Sequence, residues 1–349
     1  MKMMAHRLYA PKDMRFMEVD VPELAPDEVR IKVKCCGICG TDYSIYSGEA
    51  SFWEDGLIKT PMTFGHEYSG VIDAVGCNVT DFKVGDRVVS DTAIGCGKCP
   101  ACMSGHYMKC TKMLSVGTVN CKDGGYAEYT TMPEKHVFHL PDNVSFEQGA
   151  LCEPISTAMY CCFRAGIKIG ETVLIMGTGP IGLGAIQPAK YLGASLIAVA
   201  GRKPLKLEAA KKLGADVVID LTKEDLVEAM MKLTNGEGFD RIIEATGSHE
   251  MLRTAVNTVK GGGGIGAVAF YDTKLNDLNI DRLVLNDVTL AGSAGSENVG
   301  RITLSLMKSG RIDGTPMITH RIKLEEAKDF LDNMKKNSAN TIKGLIVFD

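Results

Sequence analysis

The 349-residue chain lacks long apolar runs and runs of basic residues. No window approaches the roughly 18 consecutive apolar residues of a membrane-spanning helix. The start, Met1-Lys-Met-Met-Ala-His-Arg7, has no apolar stretch of signal-peptide length. The formal net charge is −4 and the basic residues are scattered, which argues against nucleic-acid or membrane partners. We therefore expect a cytoplasmic protein.

Internal repeats and low-complexity linkers are also missing, so an array or tethered modules are not expected. The chain is long for one core, and a hydrophobic content of 45% with 38 glycines fits a two-domain α/β protein. It has twelve cysteines, of which four cluster tightly. Because a reducing compartment disfavours disulfides, we interpret clustered cysteines as metal ligands or catalytic groups.

The pattern of secondary structure changes along the chain. Up to residue 140, short strand-like pieces separated by Gly, Pro, Asn and Asp predict an all-β region; they are residues 28–34, 69–75, 86–90 and 127–131. From Thr172 onward apolar strands alternate with helical stretches. This alternation predicts βαβ units in a parallel, doubly wound sheet. Residues 343–348 form an expected final strand.

A glycine-rich turn follows the first apolar strand of the alternating region. It reads Gly177-Thr-Gly179-Pro180-Ile181-Gly182, which is G-x-G-x-x-G between a strand and a helix. The first glycine permits a tight turn, the second lets a pyrophosphate approach, and the third lets the helix pack closely. We expect a dinucleotide here, bound at the helix N-terminus.

The end of the next strand indicates which dinucleotide is used. NAD sites usually carry an acidic residue there, but this chain reads Val199-Ala-Gly201-Arg202-Lys203. The missing carboxylate removes repulsion of a 2′-phosphate, and the Arg202 guanidinium can bind that phosphate. We predict a preference for NADP, with NAD possible. The alternative is an ordinary solvated Arg-Lys pair.

Four cysteines share one loop: Cys96, Cys99, Cys102 and Cys110, spaced C-x2-C-x2-C-x7-C. Four thiolates this close can enclose Zn²⁺ tetrahedrally, which is typical of a structural site. An iron–sulfur cluster is the alternative, but the C-x3-C-P continuation of bacterial ferredoxins is absent. We expect structural zinc.

A second set of metal-binding residue types is spread over the sequence. Cys39 follows a strand, His66 and Glu67 begin another, and Glu153 lies where the pattern changes. Each signal is weak alone. Together a thiolate, an imidazole and one or two carboxylates can form an open zinc site.

These motifs together resemble the zinc-dependent medium-chain alcohol and polyol dehydrogenases, the group of sorbitol and threonine dehydrogenases. The resemblance spans nearly the full length and also uses residues 37–42, 124–129 and 153–154. It implies a GroES-like β domain (residues 1–155 and 295–349) with an inserted Rossmann domain (residues 156–294). It implies a catalytic zinc at Cys39, His66 and Glu153, with Glu67 able to approach and Cys152 as a neighbouring alternative.

The resemblance also implies a function. A hydride would pass between NAD(P) and a secondary alcohol, and the hydroxyl of Thr41 would receive the substrate proton. The glutamate-containing zinc site favours a polyol, sugar or vicinal diol; threonine-type amino alcohols are the enzymatic alternative. Ser44 replaces the histidine that carries the proton outward in many relatives, so the exit route departs from the family pattern.

Three other possibilities remain at this point. One is a zinc-free, NADPH-dependent quinone or enone reductase, and another is a non-catalytic zinc-ribbon interaction protein. The third is a catalytically silent relative that uses the fold for regulation. Tyr46, Phe52 and Trp53 either line a substrate pocket or simply pack in the interior. A homodimer or homotetramer is expected from the resemblance.

Overall fold

The computed structural model describes residues 1–271 and 273–349. These residues form two compact units. The first comprises Met1–Glu153, Gly300–Lys308 and Ile318–Asp349, and the second comprises Pro154–Val299 and Ser309–Met317. Within the described ranges, no helix has the length and apolarity needed to cross a bilayer.

The N-terminal part of the first unit is mostly β-structure with short helices. Its elements are β1 (Lys2–Ala10), β2 (Asp13–Asp20), β3 (Glu28–Ile38), α1 (Gly40–Ser47), β4 (Glu67–Val75), β5 (Arg87–Ser90), β6 (Ala93–Ile94), α2 (Pro100–Met103), β7 (Leu114–Val116), β8 (Cys121–Lys122), β9 (Tyr129–Pro133), β10 (Val137–His139) and α3 (Phe146–Ala150).

Alternating strands and helices follow. They are α4 (Cys152–Ala165), β11 (Thr172–Met176), α5 (Pro180–Tyr191), β12 (Leu196–Gly201), α6 (Pro204–Lys212), β13 (Val217–Asp220), α7 (Leu226–Leu233), β14 (Arg241–Glu244), α8 (His249–Thr258), β15 (Gly264–Ala267), α9 (Ile280–Leu285) and β16 (Thr289–Gly292). The chain ends with α10 (Gly300–Lys308), β17 (Ile318–Ile322), α11 (Ala327–Asn333) and β18 (Lys343–Val347).

A seven-stranded sheet organises the first unit. Its strand order is β10-β5-β4-β3-β18-β17, with β9 also paired to β3. Alternation along β3 places Val29, Ile31 and Val33 in the core, where they are 0% exposed. The C-terminal strand β18 pairs antiparallel with β3, so distant parts of the chain meet at the centre of this sheet.

The second unit is built on a parallel six-stranded sheet of order β13-β12-β11-β14-β15-β16. Its strands are short apolar runs because helices cover the sheet, and Val173, Leu174 and Ile175 are 0% exposed. This order places the first strand at the switch point of a doubly wound fold. The predicted parallel, doubly wound sheet is confirmed.

Some elements differ from those predicted from sequence. Strand β3 continues to Ile38, four residues beyond the alternating stretch, because its second half is apolar on both faces. The β1–β2 hairpin was not expected. Its polar and apolar residues alternate only partly, so the strand signal in the sequence is weak.

Candidate active site

Cys39, His66 and Glu67 lie together in the first unit. Their ligand atoms are all within 4.8 Å of one another. Cys39 caps the start of α1 just beyond β3, and Glu67 begins the neighbouring antiparallel strand β4, opposite Gly37. Strand pairing therefore brings together residues that are far apart in the sequence.

Asp42 organises this group from within the protein. It is 0% exposed, and its Oδ2 accepts hydrogen bonds from the Cys39 amide at 2.9 Å and from the Tyr126 hydroxyl at 3.0 Å. Its Oδ1 lies 3.4 Å from Nδ1 of His66. A carboxylate at Nδ1 fixes the ring orientation and leaves Nε2 to bind a metal.

Electrostatics favour a charged or metal-bound state of His66. Burial alone opposes the imidazolium, but the negative charge of Asp42 and the contact with Cys39 raise the pKa of His66 well above its usual value. Burial of this kind needs a compensating charge, which Asp42 supplies. The Cys39 Sγ lies 3.7 Å from the Thr41 hydroxyl, which places Thr41 beside the group.

A buried ion pair holds the Glu67 carboxylate. Nζ of Lys343 lies 2.7 Å from both Glu67 oxygens and 3.3 Å from the Ile38 carbonyl oxygen. Both side chains are 1% exposed. Burial disfavours the ammonium, yet the Glu67 charge raises the pKa of Lys343. A Cβ at Gly37 would lie 2.0 Å from a Glu67 oxygen, so only glycine leaves room for this carboxylate.

The donor set suits zinc. A thiolate, an imidazole and a carboxylate are the ligand types of open zinc sites, and here they converge with two of the three residues buried. Glu153 lies outside the 4.8 Å group, but its charge raises the pKa of Lys343, so it lies close enough to act on this region. Cys152 directs its thiol toward the Gly300 carbonyl oxygen at 3.8 Å.

The four-cysteine loop forms a second group of candidate metal ligands. The ligand atoms of Cys96, Cys99, Cys102 and Cys110 also lie within 4.8 Å of one another. The Cys99 thiol caps α2 by accepting from the Cys102 amide at 3.5 Å. Hydrogen bonds from the amides of Lys98 and Cys99 lower the pKa of Cys96 to about 6, which favours the thiolate that zinc needs.

The glycine turn of the second unit has the geometry that a pyrophosphate requires. Gly177 has φ +106, and a Cβ at Gly182 would lie 2.1 Å from the Gly177 carbonyl oxygen. A Cβ at Gly179 would meet nothing within 4 Å. Gly179 therefore leaves open space at the N-terminus of α5, where Pro180 and Ile181 occupy the first turn.

The residues predicted to select the dinucleotide lie at the end of β12. Gly201 ends that strand, and a Cβ there would lie 2.5 Å from Thr178 of the glycine turn, so an acidic side chain does not fit. Arg202 and Lys203 are exposed. Lys203 also lies close to Lys206 of α6. Burial lowers the pKa of Lys206, and repulsion by the Lys203 charge lowers it further. Three cations therefore cluster beside the turn.

The aromatic residues proposed for a pocket wall are engaged in packing. Tyr46 is 2% exposed and donates a hydrogen bond to Asp332 at 2.6 Å. The Trp53 indole donates to the Ile45 carbonyl oxygen at 2.9 Å, and Phe52 packs against the core of the first unit. These contacts favour the packing interpretation.

Several important residues were not identified from sequence. Lys343 and Asp42 are the clearest. A lysine opening an otherwise apolar final strand was a usable signal, because a buried charge needs a partner. Asp42 stood within the Cys39 motif, but nothing in the sequence showed that it faces His66.

Comparison with known proteins agrees with this geometry. The family model of the alcohol dehydrogenase GroES-like domain matches residues 25–142 of the sequence. The family model of the zinc-binding dehydrogenase matches residues 180–309. Sorbitol dehydrogenase of Bacillus subtilis (strain 168) is 34% identical over 95% of this chain and 93% of that protein. L-Threonine 3-dehydrogenase of Bacillus velezensis is 34% identical over 93% of each chain.

A solved structure from Sinorhizobium meliloti 1021, described as a zinc-binding dehydrogenase bound to NADP, superimposes with a TM-score of 0.92. It is 31% identical, with 100% of both chains covered. The fold and the grouped ligands define an NAD(P)-dependent alcohol dehydrogenase. The chain belongs to the zinc-binding alcohol dehydrogenase family, as the sequence motifs predicted.

Proposed function

We propose that Cys39, His66 and Glu67 hold the catalytic zinc, with Glu153 joining them directly or through water. The convergence of thiolate, imidazole and carboxylate atoms within 4.8 Å carries this assignment. Zinc bound here would supply Lewis-acid polarisation of the substrate oxygen. We further propose residues 1–155 and 295–349 as the catalytic domain and residues 156–294 as the dinucleotide domain.

Two residues of this chain, Thr41 and Asp42, would support proton transfer. Thr41, 3.7 Å from the Cys39 thiol, accepts the proton of the substrate hydroxyl. Asp42 holds the His66 ring in place. Ser44 donates to the Gly40 carbonyl oxygen at 3.1 Å, so its hydroxyl is engaged with the helix, and the proton would leave through water or the cofactor ribose.

The four-cysteine group would hold a second, structural zinc. Four sulfur ligands within 4.8 Å fill a tetrahedral shell and leave no position for substrate. This metal would fix the loop that carries Cys96 through Cys110. We therefore propose two zinc ions per chain.

NADP is the proposed preferred dinucleotide. Gly201 excludes a competing carboxylate, and Arg202, Lys203 and Lys206 form a cationic surface that suits a 2′-phosphate. Loss of one charged hydrogen-bonding partner costs about 1.5–3 kcal/mol, so Arg202→Ala should raise the KM for NADP at least tenfold. An unchanged KM would refute the role of Arg202, and the KM for NAD provides the control.

A polyol, sugar or vicinal diol is the proposed substrate. An amino acid such as threonine needs a cation for its carboxylate. The buried Lys343 ammonium is already bonded to both Glu67 oxygens and to the Ile38 carbonyl oxygen, so it does not supply that cation. A neutral hydroxylated substrate has no such need. Sorbitol dehydrogenase among the relatives is consistent with this class.

A substrate screen tests this function. Sorbitol, 2,3-butanediol and L-threonine would each be assayed with NAD and NADP by the absorbance of reduced nicotinamide. We expect the highest kcat/KM for a neutral polyol or diol with NADP. A higher value for threonine would establish the amino-alcohol alternative instead, and no turnover with any alcohol would refute the proposal.

We also propose a cytoplasmic homo-oligomer. All twelve cysteines are free, which suits a reducing compartment. Strand β16 is the edge of the parallel sheet, and Val284 and Leu285 nearby are 69% and 81% exposed. A second copy covering this apolar edge would protect it. Light scattering should give at least twice the chain mass, and a monomer would contradict the proposal.

A further inference from the structure

A fully buried carboxylate ends strand β14 and has no role in the function proposed so far. Glu244 is 0% exposed. It pairs in register with Met176, just before the glycine turn, and with Ala267 at the end of β15. Burying a carboxylate is costly unless hydrogen-bond donors compensate, so its partners are informative.

Neutral donors from two different segments satisfy Glu244. The Thr246 amide donates to Oε1 at 2.8 Å, and the Thr246 hydroxyl donates to the same oxygen. The Tyr271 hydroxyl donates to Oε2. Burial and the bond to Glu244 raise the pKa of Tyr271, so this hydroxyl remains protonated and able to donate.

Tyr271 belongs to the segment that leaves the carboxyl end of β15. The Val268 amide donates to the Glu244 carbonyl oxygen at 3.0 Å. The Tyr271 ring stacks on His249, with centroids 5.8 Å apart and an interplanar angle of 27°. A Cβ at Gly247 would lie 2.7 Å from the Phe270 carbonyl oxygen. Residues 268–271 are therefore packed back onto residues 244–249.

The same carboxylate connects this segment to the glycine turn. The Ala245 amide donates to the Met176 carbonyl oxygen at 2.9 Å. A Cβ at Gly177 would lie 3.0 Å from the Thr246 side chain. A continuous series of contacts thus runs from Gly177 through Thr246 and Glu244 to Tyr271. It lies at the carboxyl edge of the sheet, where open α/β folds bind ligands.

We propose that Tyr271 is a positioning residue for the dinucleotide, and that its hydroxyl, bonded to Glu244, latches residues 268–271 to the glycine turn in the binding conformation. The proposal rests on dinucleotide binding at that turn. The latch orders residues 268–271 before the dinucleotide binds, so the binding free energy is not reduced by the entropy lost in ordering them. The exposed Phe270 side chain, 64% accessible, is the part of the segment that the latch presents at the edge.

Tyr271→Phe removes only the latch hydroxyl. Because a hydrogen bond to a charged group is worth about 1.5–3 kcal/mol, we expect NADPH to bind about tenfold more weakly or worse in a fluorescence titration. The KM for the dinucleotide should rise by a similar factor, while kcat at saturation and the zinc content stay at parental values. Tyr191→Phe, the same change at a 49% exposed ring on α5, should leave all four quantities unchanged.

A second variant separates positioning from general stability. Glu244→Gln keeps an acceptor oxygen but removes the charge, so it should weaken NADPH binding less than Tyr271→Phe does. The double variant should bind no more weakly than Tyr271→Phe, because both changes act on the same bond between Tyr271 and Glu244. Additive losses, or a Tyr271→Phe protein that binds NADPH like the parent, would overturn the latch. A parent protein that binds neither NADPH nor NADH would overturn the dinucleotide proposal itself.

Discussion

Single residues at the metal-binding group depend on partners that are remote in sequence. Glu67 is placed by Gly37, which leaves it space, and by Lys343, which neutralises it. Asp42 accepts a hydrogen bond from the Cys39 amide, and its other oxygen lies 3.4 Å from Nδ1 of the His66 ring. Removing one member of such a group therefore affects its neighbours as well as itself.

Lys343→Met should destabilise the protein strongly. The variant leaves the buried Glu67 carboxylate unpaired, and breaking a buried ion pair from one side costs about 3–5 kcal/mol. Urea unfolding of zinc-free parent and variant measures this loss, because zinc bound at Glu67 would itself pair the carboxylate. Lys335→Met, at the exposed pair with Glu49, serves as the matched control and should change little.

The double variant Lys343→Met/Glu67→Gln completes this comparison. It removes both charges, so it should recover a large part of the lost stability. If Lys343→Met had the same urea midpoint of unfolding as the parent, the buried pair of Lys343 and Glu67 would not stabilise the folded protein.

The sequence identified Cys39, His66 and Glu67 as candidate metal ligands but not the residues that support them, for a physical reason. Cys39, His66 and Glu67 stand in short motifs whose residue types and order resemble a known family. Lys343 reaches Glu67 only because β18 and β4 both pair with β3, and that sheet order is a tertiary property.

At the scale of elements, Tyr107 anchors the loop of Cys96–Cys110 in addition to its cysteines. The Tyr107 hydroxyl donates to Asp91, and the Tyr107 ring packs edge-on against His136 at 5.5 Å. Few apolar residues are buried in this loop, so we propose that metal binding is the main source of its order.

Cys99→Ser should therefore remove one zinc ion per chain and loosen the loop. We expect the zinc content measured by elemental analysis to fall from two ions per chain to one, and the Tm to decrease. The Cys77→Ser variant, at an exposed cysteine outside both groups, is the control and should keep both metals. Two zinc ions retained in Cys99→Ser would contradict the structural assignment.

His136, beside β10, makes stability depend on pH. Burial lowers the pKa of His136 to about 4, whereas the unfolded chain titrates near 6.5. Between these values the unfolded state binds more protons, so stability is present above pH 6.5 and falls as the solution is acidified. From pH 7 to pH 5 this group alone should cost about 2 kcal/mol.

His136→Gln tests that dependence. The variant should lose about 2 kcal/mol less than the parent between pH 7 and 5, as measured by urea unfolding at each pH. The two proteins should show parallel stability curves above pH 7. Parallel curves throughout would show that His136 is not buried in its neutral form.

At the same scale, sequence identified the parallel sheet well and the β-rich unit only in part. Strands β11 to β15 are short apolar runs separated by helices. This pattern can be recognised from the local sequence alone. The seven-stranded sheet depends on pairings such as β3 with β18, which join the two ends of the chain. Local patterns do not encode such pairings.

At the scale of the whole molecule, two kinds of chemistry are assigned to two compact units. The first unit contains both metal-binding groups, and the second contains the glycine turn and the cations beside it. Loss of the catalytic metal should therefore leave dinucleotide binding intact.

The most direct test measures alcohol turnover, zinc content and NADPH binding in Cys39→Ser. We predict that turnover is abolished, that one zinc ion per chain remains, and that NADPH binds with the parental Kd. Retained turnover would contradict the assignment of Cys39 to the catalytic zinc, and loss of NADPH binding would contradict the separation of the two sites.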